Sequence, residues 1–231
     1  MIVDFIDPKD VETLRACALA GSALRPRAQK ALFTDVTINP NRLQRMNECF
    51  ISNQHLASYP RRLSITTGSG LIQRGHGLTP RCVRLLLDDV CLLSRQGCAE
   101  SDSSSLISSL RIYDAELPSI RDLLQILSSF PHLSDIALSN VSWESEGRDI
   151  DQRTLKYFHR RIGLLRLSRL SIRMVVPSHI LSVLYAPEAQ VCLEHIELDS
   201  AMTTSEWPSL VRRAGKHLRT LIIRVSFPGG G

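Results

Sequence analysis

Six cysteines, seven histidines and 23 acidic residues are the groups in this 231-residue chain that could hold a metal or move a proton. A structural zinc site gathers its donors in close pairs, so that four ligands can reach one tetrahedron. Cys17, Cys49, Cys82, Cys91, Cys98 and Cys192 contain no such pair, and the spacings of nine and seven within Cys82, Cys91 and Cys98 suit no common metal site. They read as free thiols packed like small hydrophobes in a reducing compartment. Histidines and carboxylates are scattered, with no G-x-S-x-G elbow, no H-E-x-x-H and no G-x-x-x-x-G-K-[ST]. Gly68-Ser69-Gly70 suggests a phosphate loop, but Gln73 stands where a dinucleotide fingerprint has its third glycine. A flexible loop is the reading that fits. No catalytic residue, metal or cofactor is expected from these patterns; the chemistry left is recognition.

Charge narrows what could be recognised. The formal net charge is +5, and of the 28 basic residues only Lys9, Lys30, Lys156 and Lys216 are lysine. Arginine suits planar pairing with carboxylates at an interface, whereas phosphate-tracking grooves commonly use dense mixed runs. The densest clusters here are the pairs Arg61-Arg62, Arg160-Arg161 and Arg212-Arg213. A basic nucleic-acid-associated protein is therefore the weaker expectation beside a protein-binding face. With 43% hydrophobic residues the chain is too apolar to stay disordered. No run approaches the ~18–20 apolar residues of a spanning helix, so no membrane partner is expected. The start, Met1-Ile2-Val3-Asp4-Phe5, lacks the basic and apolar regions of a secretory signal. These features point to the cytoplasm or nucleus.

The elements that would position such a face are visible as a period. Aliphatic triplets with one filler recur as Leu63-Ser64-Ile65, Leu85-Leu86-Leu87, Leu110-Arg111-Ile112, Ile136-Ala137-Leu138, Leu170-Ser171-Ile172, Ile196-Glu197-Leu198 and Leu221-Ile222-Ile223. Their last residues are separated by 22, 25, 26, 34, 26 and 25 positions. Five of these six steps fall within the ~20–29 residues of leucine-rich repeats. Between triplets the period changes from 2 to 3.6: Ile120, Leu123, Leu124 and Leu127 share one helical stripe behind Pro118-Ser119. Similar helices are expected over 177–184 and 204–211, with Gln54-His55-Leu56, Pro131-His132-Leu133 and Lys216-His217-Leu218 at the corners before strands. The corner histidines are expected to cap or pack. The 34-residue step holds a polar excursion over 144–149, followed by a helix-like stretch over 153–161. One strand and one helix per unit predict an α/β solenoid, with parallel strands on the concave side and helices on the convex side.

Residues 1–38 do not follow the repeat, which is taken to run over 39–231. A helical lead-in is expected over 10–24, with Leu14, Cys17 and Ala18 inward, then a first strand over 32–38. Another helix is expected over 41–56, using Leu43, Met46, Phe50 and Ile51.

The stretches 13–19 and 25–33, then His55 to Leu63, Ser129-Phe130-Pro131-His132-Leu133 and Val141-Ser142-Trp143, resemble fungal F-box-like proteins with irregular leucine-rich repeats. That resemblance implies a substrate-receptor subunit of a Skp–cullin–F-box ubiquitin ligase. A Skp-type adaptor would be bound through Ile2, Phe5, Ile6, Pro8, Leu14 and Leu24, and a target protein through the repeats. The family's leucine-proline-x-glutamate opening has no counterpart, and Ala20-Gly21 and Leu24 occupy its valine-cysteine and tryptophan positions. Each change removes apolar area worth roughly 25 cal/mol per Å² from the adaptor contact. A repeat-only scaffold without adaptor is the alternative. Strand alternation sends the fillers away from the core, so the target face should carry Arg62, Arg84, Asp88, Arg111, Tyr113, Asp135, Arg169, Arg173, Glu197 and Arg224, joined by His195 and Asp199.

Overall fold

Six of the seven aliphatic triplets, preceded by residues 35–38, lie in seven parallel strands that follow one another across a single sheet in chain order. A computed structural model describes residues 3, 6–66, 107–117, 119–143, 156–158, 160, 165–175, 192–199 and 207–224. Helix α1 (Val11–Ala20) and helix α2 (Arg25–Thr34) lead into strand β1 (Asp35–Ile38), helix α3 (Pro40–Ser52), a 3₁₀ turn (Gln54–Ser58) and strand β2 (Arg62–Thr66). Strand β3 (Ser109–Leu117), helix α4 (Ile120–Ser128), strands β4 (Asp135–Trp143), β5 (Arg169–Val175) and β6 (His195–Asp199), helix α5 (Trp207–Ala214) and strand β7 (Thr220–Arg224) complete the order. The protein is thus α/β with an all-parallel sheet.

Register aligns like with like. Val36, Leu63, Leu110, Ile136, Leu170, Ile196 and Leu221 form one lateral row, and Ile38, Ile65, Ile112, Leu138, Ile172, Leu198 and Ile223 form the next. Both rows are buried from β1 to β6, and only on β7 do their members become exposed. Together with Phe50 of α3, Leu123, Leu124 and Leu127 of α4, and Leu210 of α5, they form one continuous core. Helix α4 shows why the helices dock. Ser119 caps it, accepting from the Asp122 amide, and the expected stripe is buried together with Ile126. At the corners it is Leu56 and Leu133 that are buried, whereas His55, His132 and His217 are exposed; His55 packs edge-on against Tyr59.

Two expectations need correction. Residues 32–34 end α2 instead of opening a strand, because Thr34 Oγ1 donates back to the Lys30 carbonyl at 2.6 Å and Phe33 packs edge-on against Phe50. Ile51 is exposed, since Met46, Cys49 and Phe50 already occupy the inward stripe of α3. Residues 35–38 belong to the sheet, pairing with β2 and burying Val36 and Ile38 in the main core. The remainder of the N-terminal module has its own small core of Val3, Leu14 and Ala28, with Cys17 and Ala18 against it. Strand β2 pairs with β1 on one edge and with β3 on the other. The triplet expected at 85–87, the Gly68-Ser69-Gly70 loop, the excursion at 144–149 and the helix expected over 177–184 lie outside the described residues.

Two features of the strands were not anticipated. Ser108, Ser134 and Ser168 stand immediately before successive strands, and each donates its hydroxyl to the carbonyl of the equivalent residue one unit earlier, at 3.4, 3.2 and 3.2 Å. The same carbonyls accept the backbone amides of these positions, so each unit closes the polar end of its neighbour. In β3 and β4, Asp114 and Asn140 adopt φ of 49° and 51°, a left-handed conformation that Asp and Asn tolerate best among side-chain-bearing residues. Asn140 Nδ2 donates to Asp114 Oδ1 at 2.9 Å, and the paired kinks turn Ala115, Leu117 and Val141 back into the core.

Candidate functional site on the open sheet face

The face opposite the core carries the strand residues of the other parity, arranged by register into three lateral rows. Asp35, Arg62, Ser109, Asp135, Arg169, His195 and Thr220 make the first, and Thr37, Ser64, Arg111, Ala137, Ser171, Glu197 and Ile222 the second. Thr66, Tyr113, Ser139 and Arg173 continue a third, with Arg224 beside Asp199 at its far end. Neighbouring strands lie ~4.8 Å apart and same-face residues ~6.6 Å apart along a strand, so the three rows form a lattice.

Long side chains flank short ones at its centre. Ala137 and Ser139 of β4 and Ser171 of β5 floor a recess of about 360 Å³ walled by Arg111, Tyr113, Asp135, Arg169, Arg173 and Glu197. Six of the ten residues expected to meet a target are therefore gathered in one place. Arg62 and Arg224 sit on the same face nearer its two ends. Arg84 and Asp88 lie outside the described residues. Asp199 is only 7% exposed and belongs to the buried polar groups rather than to the open surface.

Pairing decides which charges remain available. Glu197, with 18% of its side chain exposed, accepts from Arg173 NH2 and Arg224 Nε at 2.6 Å each and from Ser171 Oγ at 3.1 Å. Burial by itself pushes the Glu197 carboxyl up, but the bonds from Arg224, Arg173 and Ser171 outweigh it and hold the group below the usual glutamate range. Arg62 forms a bidentate pair with Asp35, whose hydrogen bond raises the guanidinium above its ordinary value. Asp135 accepts from Ser109 Oγ at 3.2 Å. Among the described residues, no carboxylate lies within ion-pair distance of Arg111 or Arg169. The buried Nε of Arg173 also has no acceptor. The acids are thus largely engaged while three arginines keep unused donors.

The N-terminal positions are distributed differently. Leu14 is 0% exposed at the centre of the α1–α2 pair and cannot touch a partner directly, which corrects its place among surface contacts. Leu24 is half-buried against the same small core. Ile6 and Pro8 line a groove with Val11, Ala31 and Leu32 that is rimmed by Arg27, Lys30 and Arg62. Ile2 and Phe5 lie outside the described residues. Leu19, 83% exposed, and Val11 are the large apolar side chains that α1 presents to solvent, and inward-stripe reasoning passes them over.

Among the described residues no group of three His, Cys, Asp or Glu side chains could hold a metal, and no helix is long and apolar enough to cross a membrane. What the fold defines is an α/β protein on a seven-stranded parallel sheet with one polar face that no described element covers. Comparison with protein-family models finds none that matches the chain, and comparison with curated proteins likewise finds no match.

Proposed function

We propose that the chain is a leucine-rich-repeat solenoid whose open, concave face holds a target protein, and that its N-terminal module docks a Skp-type adaptor of a cullin-based ubiquitin ligase. The carrying observation is the repeated unit. Ile107, Leu133, Leu167 and Leu193 are each buried three residues before the first inward aliphatic of a strand, and those strands stack in register in chain order. One strand per unit with like residues aligned is how a solenoid shares its core among neighbours. Recognition without catalysis is supported by a face of arginine, tyrosine and small residues around a shallow recess, a composition suited to protein interfaces. Adaptor docking is supported more modestly, by the separate small core of α1 and α2 and by the exposed Leu19 and Val11. Burial of Leu14 favours the second reading, a repeat scaffold that never meets the adaptor.

Two measurements on the full-length chain test these parts separately. Pull-down with purified Skp-type adaptor should succeed with the native chain and fail with Leu19→Asp; capture by neither leaves the scaffold reading. A photo-crosslinking residue at position 137 should link the chain to a protein partner in cells, whereas the same group at the helix-side position 121 should not. Equal yields from both positions refute recognition through the open face.

A further inference from the structure

We infer that the recess over Ala137 and Ser139 receives an anionic side chain, a carboxylate or a phosphorylated residue, of the protein held on this face. The inference rests on the open face being the recognition surface and adds the chemistry of what it recognises. By composition the face is mixed, but cations outnumber anions on it. Glu197 is shared between Arg173 and Arg224 and Asp35 is closed by Arg62, which leaves Arg111 and Arg169 against the one carboxylate of Asp135, itself bonded to Ser109. Arg111 and Arg169 approach from β3 and β5 on either side of β4, two strands apart and one row offset, ~12 Å in register terms. Between and beside them β4 offers Asp135, which accepts from Ser109, then Ala137 and Ser139, which are too short to fill the gap. Arg173 closes the third side with a buried, unused Nε donor.

An oxyanion at this point would accept from several guanidinium donors in partial shelter from water, where charge-assisted bonds are strongest. The recess is local and bordered on one side by the Arg173–Glu197 pair, so it suits one anionic group better than a run of phosphates. That favours an acidic or phosphorylated protein segment over a nucleic acid.

The test uses the full-length chain and a library of short peptides, random except for Glu, phosphoserine or Gln fixed at the centre. Retention of the Glu or the phosphoserine set should exceed that of the Gln set by about tenfold, the effect of one charge-assisted hydrogen bond. Whichever set leads identifies the source of the anion. The doubly substituted Arg111→Gln/Arg169→Gln chain should lose that preference, whereas Arg121→Gln, which removes an exposed charge from α4, should keep it. Equal retention of all three sets, a preference unchanged in the double variant, or tighter retention of single-stranded DNA than of any peptide set would overturn the inference. Partner crosslinking from position 137 that survives the double variant would leave the face reading standing while this one falls. Absence of crosslinking from position 137 would remove both.

Discussion

Replacing Glu197 should cost more than its place on an open face suggests. Its carboxylate accepts two guanidinium bonds at 2.6 Å and one hydroxyl bond at 3.1 Å with only 18% of the side chain exposed. A hydrogen bond to a charged group contributes about 1.5–3 kcal/mol, whereas an exposed ion pair contributes about 0.2–1 kcal/mol. The Arg173 bond belongs nearer the first class, since that guanidinium already has a buried Nε without a partner. Arg224 is 56% exposed and belongs to the second class, because water can replace its acceptor. Glu197→Ala should therefore lose about 2 kcal/mol, and Glu197→Gln about 1 kcal/mol, since the amide oxygen can still accept. For a chain of this length that means a melting temperature lower by roughly 4–8 °C for the alanine variant. The folded carboxyl lies below its ordinary range, so the contribution is fully present above the pKa of an unfolded glutamate. It is lost as pH falls through the folded value. The assay is the urea midpoint of native and variant chains from neutral to acid pH, with the denaturant slope unchanged. A Glu197→Ala chain within about 0.5 kcal/mol of native at neutral pH, or a native–Gln gap that persists in acid, refutes the reasoning.

Other perturbations separate core, ladder, kink and module. Leu138→Ala, in the middle of the inner row, should cost about 2–5 kcal/mol, whereas Ser134→Ala should cost only about 0.5–1.5 kcal/mol, both read from urea midpoints. Asn140→Gly should be tolerated within about 1 kcal/mol because glycine accepts the left-handed φ of 51°, whereas Asn140→Val should lose about 1–3 kcal/mol in the same assay. Leu14→Ala should speed amide exchange in α1 and α2 while leaving the sheet protected, because its core is separate from the main one. Leu19→Asp should leave exchange unchanged.

Periodicity carried most of the fold. Six of the seven expected triplets are strands, because alternation and burial read the same physical constraint. The seventh, at 85–87, lies outside the described residues. Leu32-Phe33-Thr34 shows where that reasoning stops. Alternation over a few residues also fits the last turn of a helix, and the packing of Phe33 on Phe50 decides between them. The recess was half legible. Strand parity placed Arg111, Tyr113, Asp135, Arg169, Arg173 and Glu197 on one face, but which charges remain unpaired depends on side-chain reach. Ser108, Ser134 and Ser168 did leave a signal, a serine two residues before each inward aliphatic, yet it is visible only once the strands have been aligned.

The difference between charge by composition and charge by availability follows from the lattice. A parallel sheet in sequential order fixes each residue's lateral neighbours one unit away, so a charge can be cancelled only by what the adjacent units place in the same or the next row. Where β6 contributes Glu197, the arginines of β5 and β7 converge on it and the surface is closed. Where β4 contributes Ala137 and Ser139, Arg111 of β3 and Arg169 of β5 make no ion pair among the described residues, and their charge stays uncompensated. Substitution at a single strand position can therefore change which charges on the polar face are paired without disturbing the core behind it. That is a physical route by which a regular sheet comes to carry an irregular distribution of available charge.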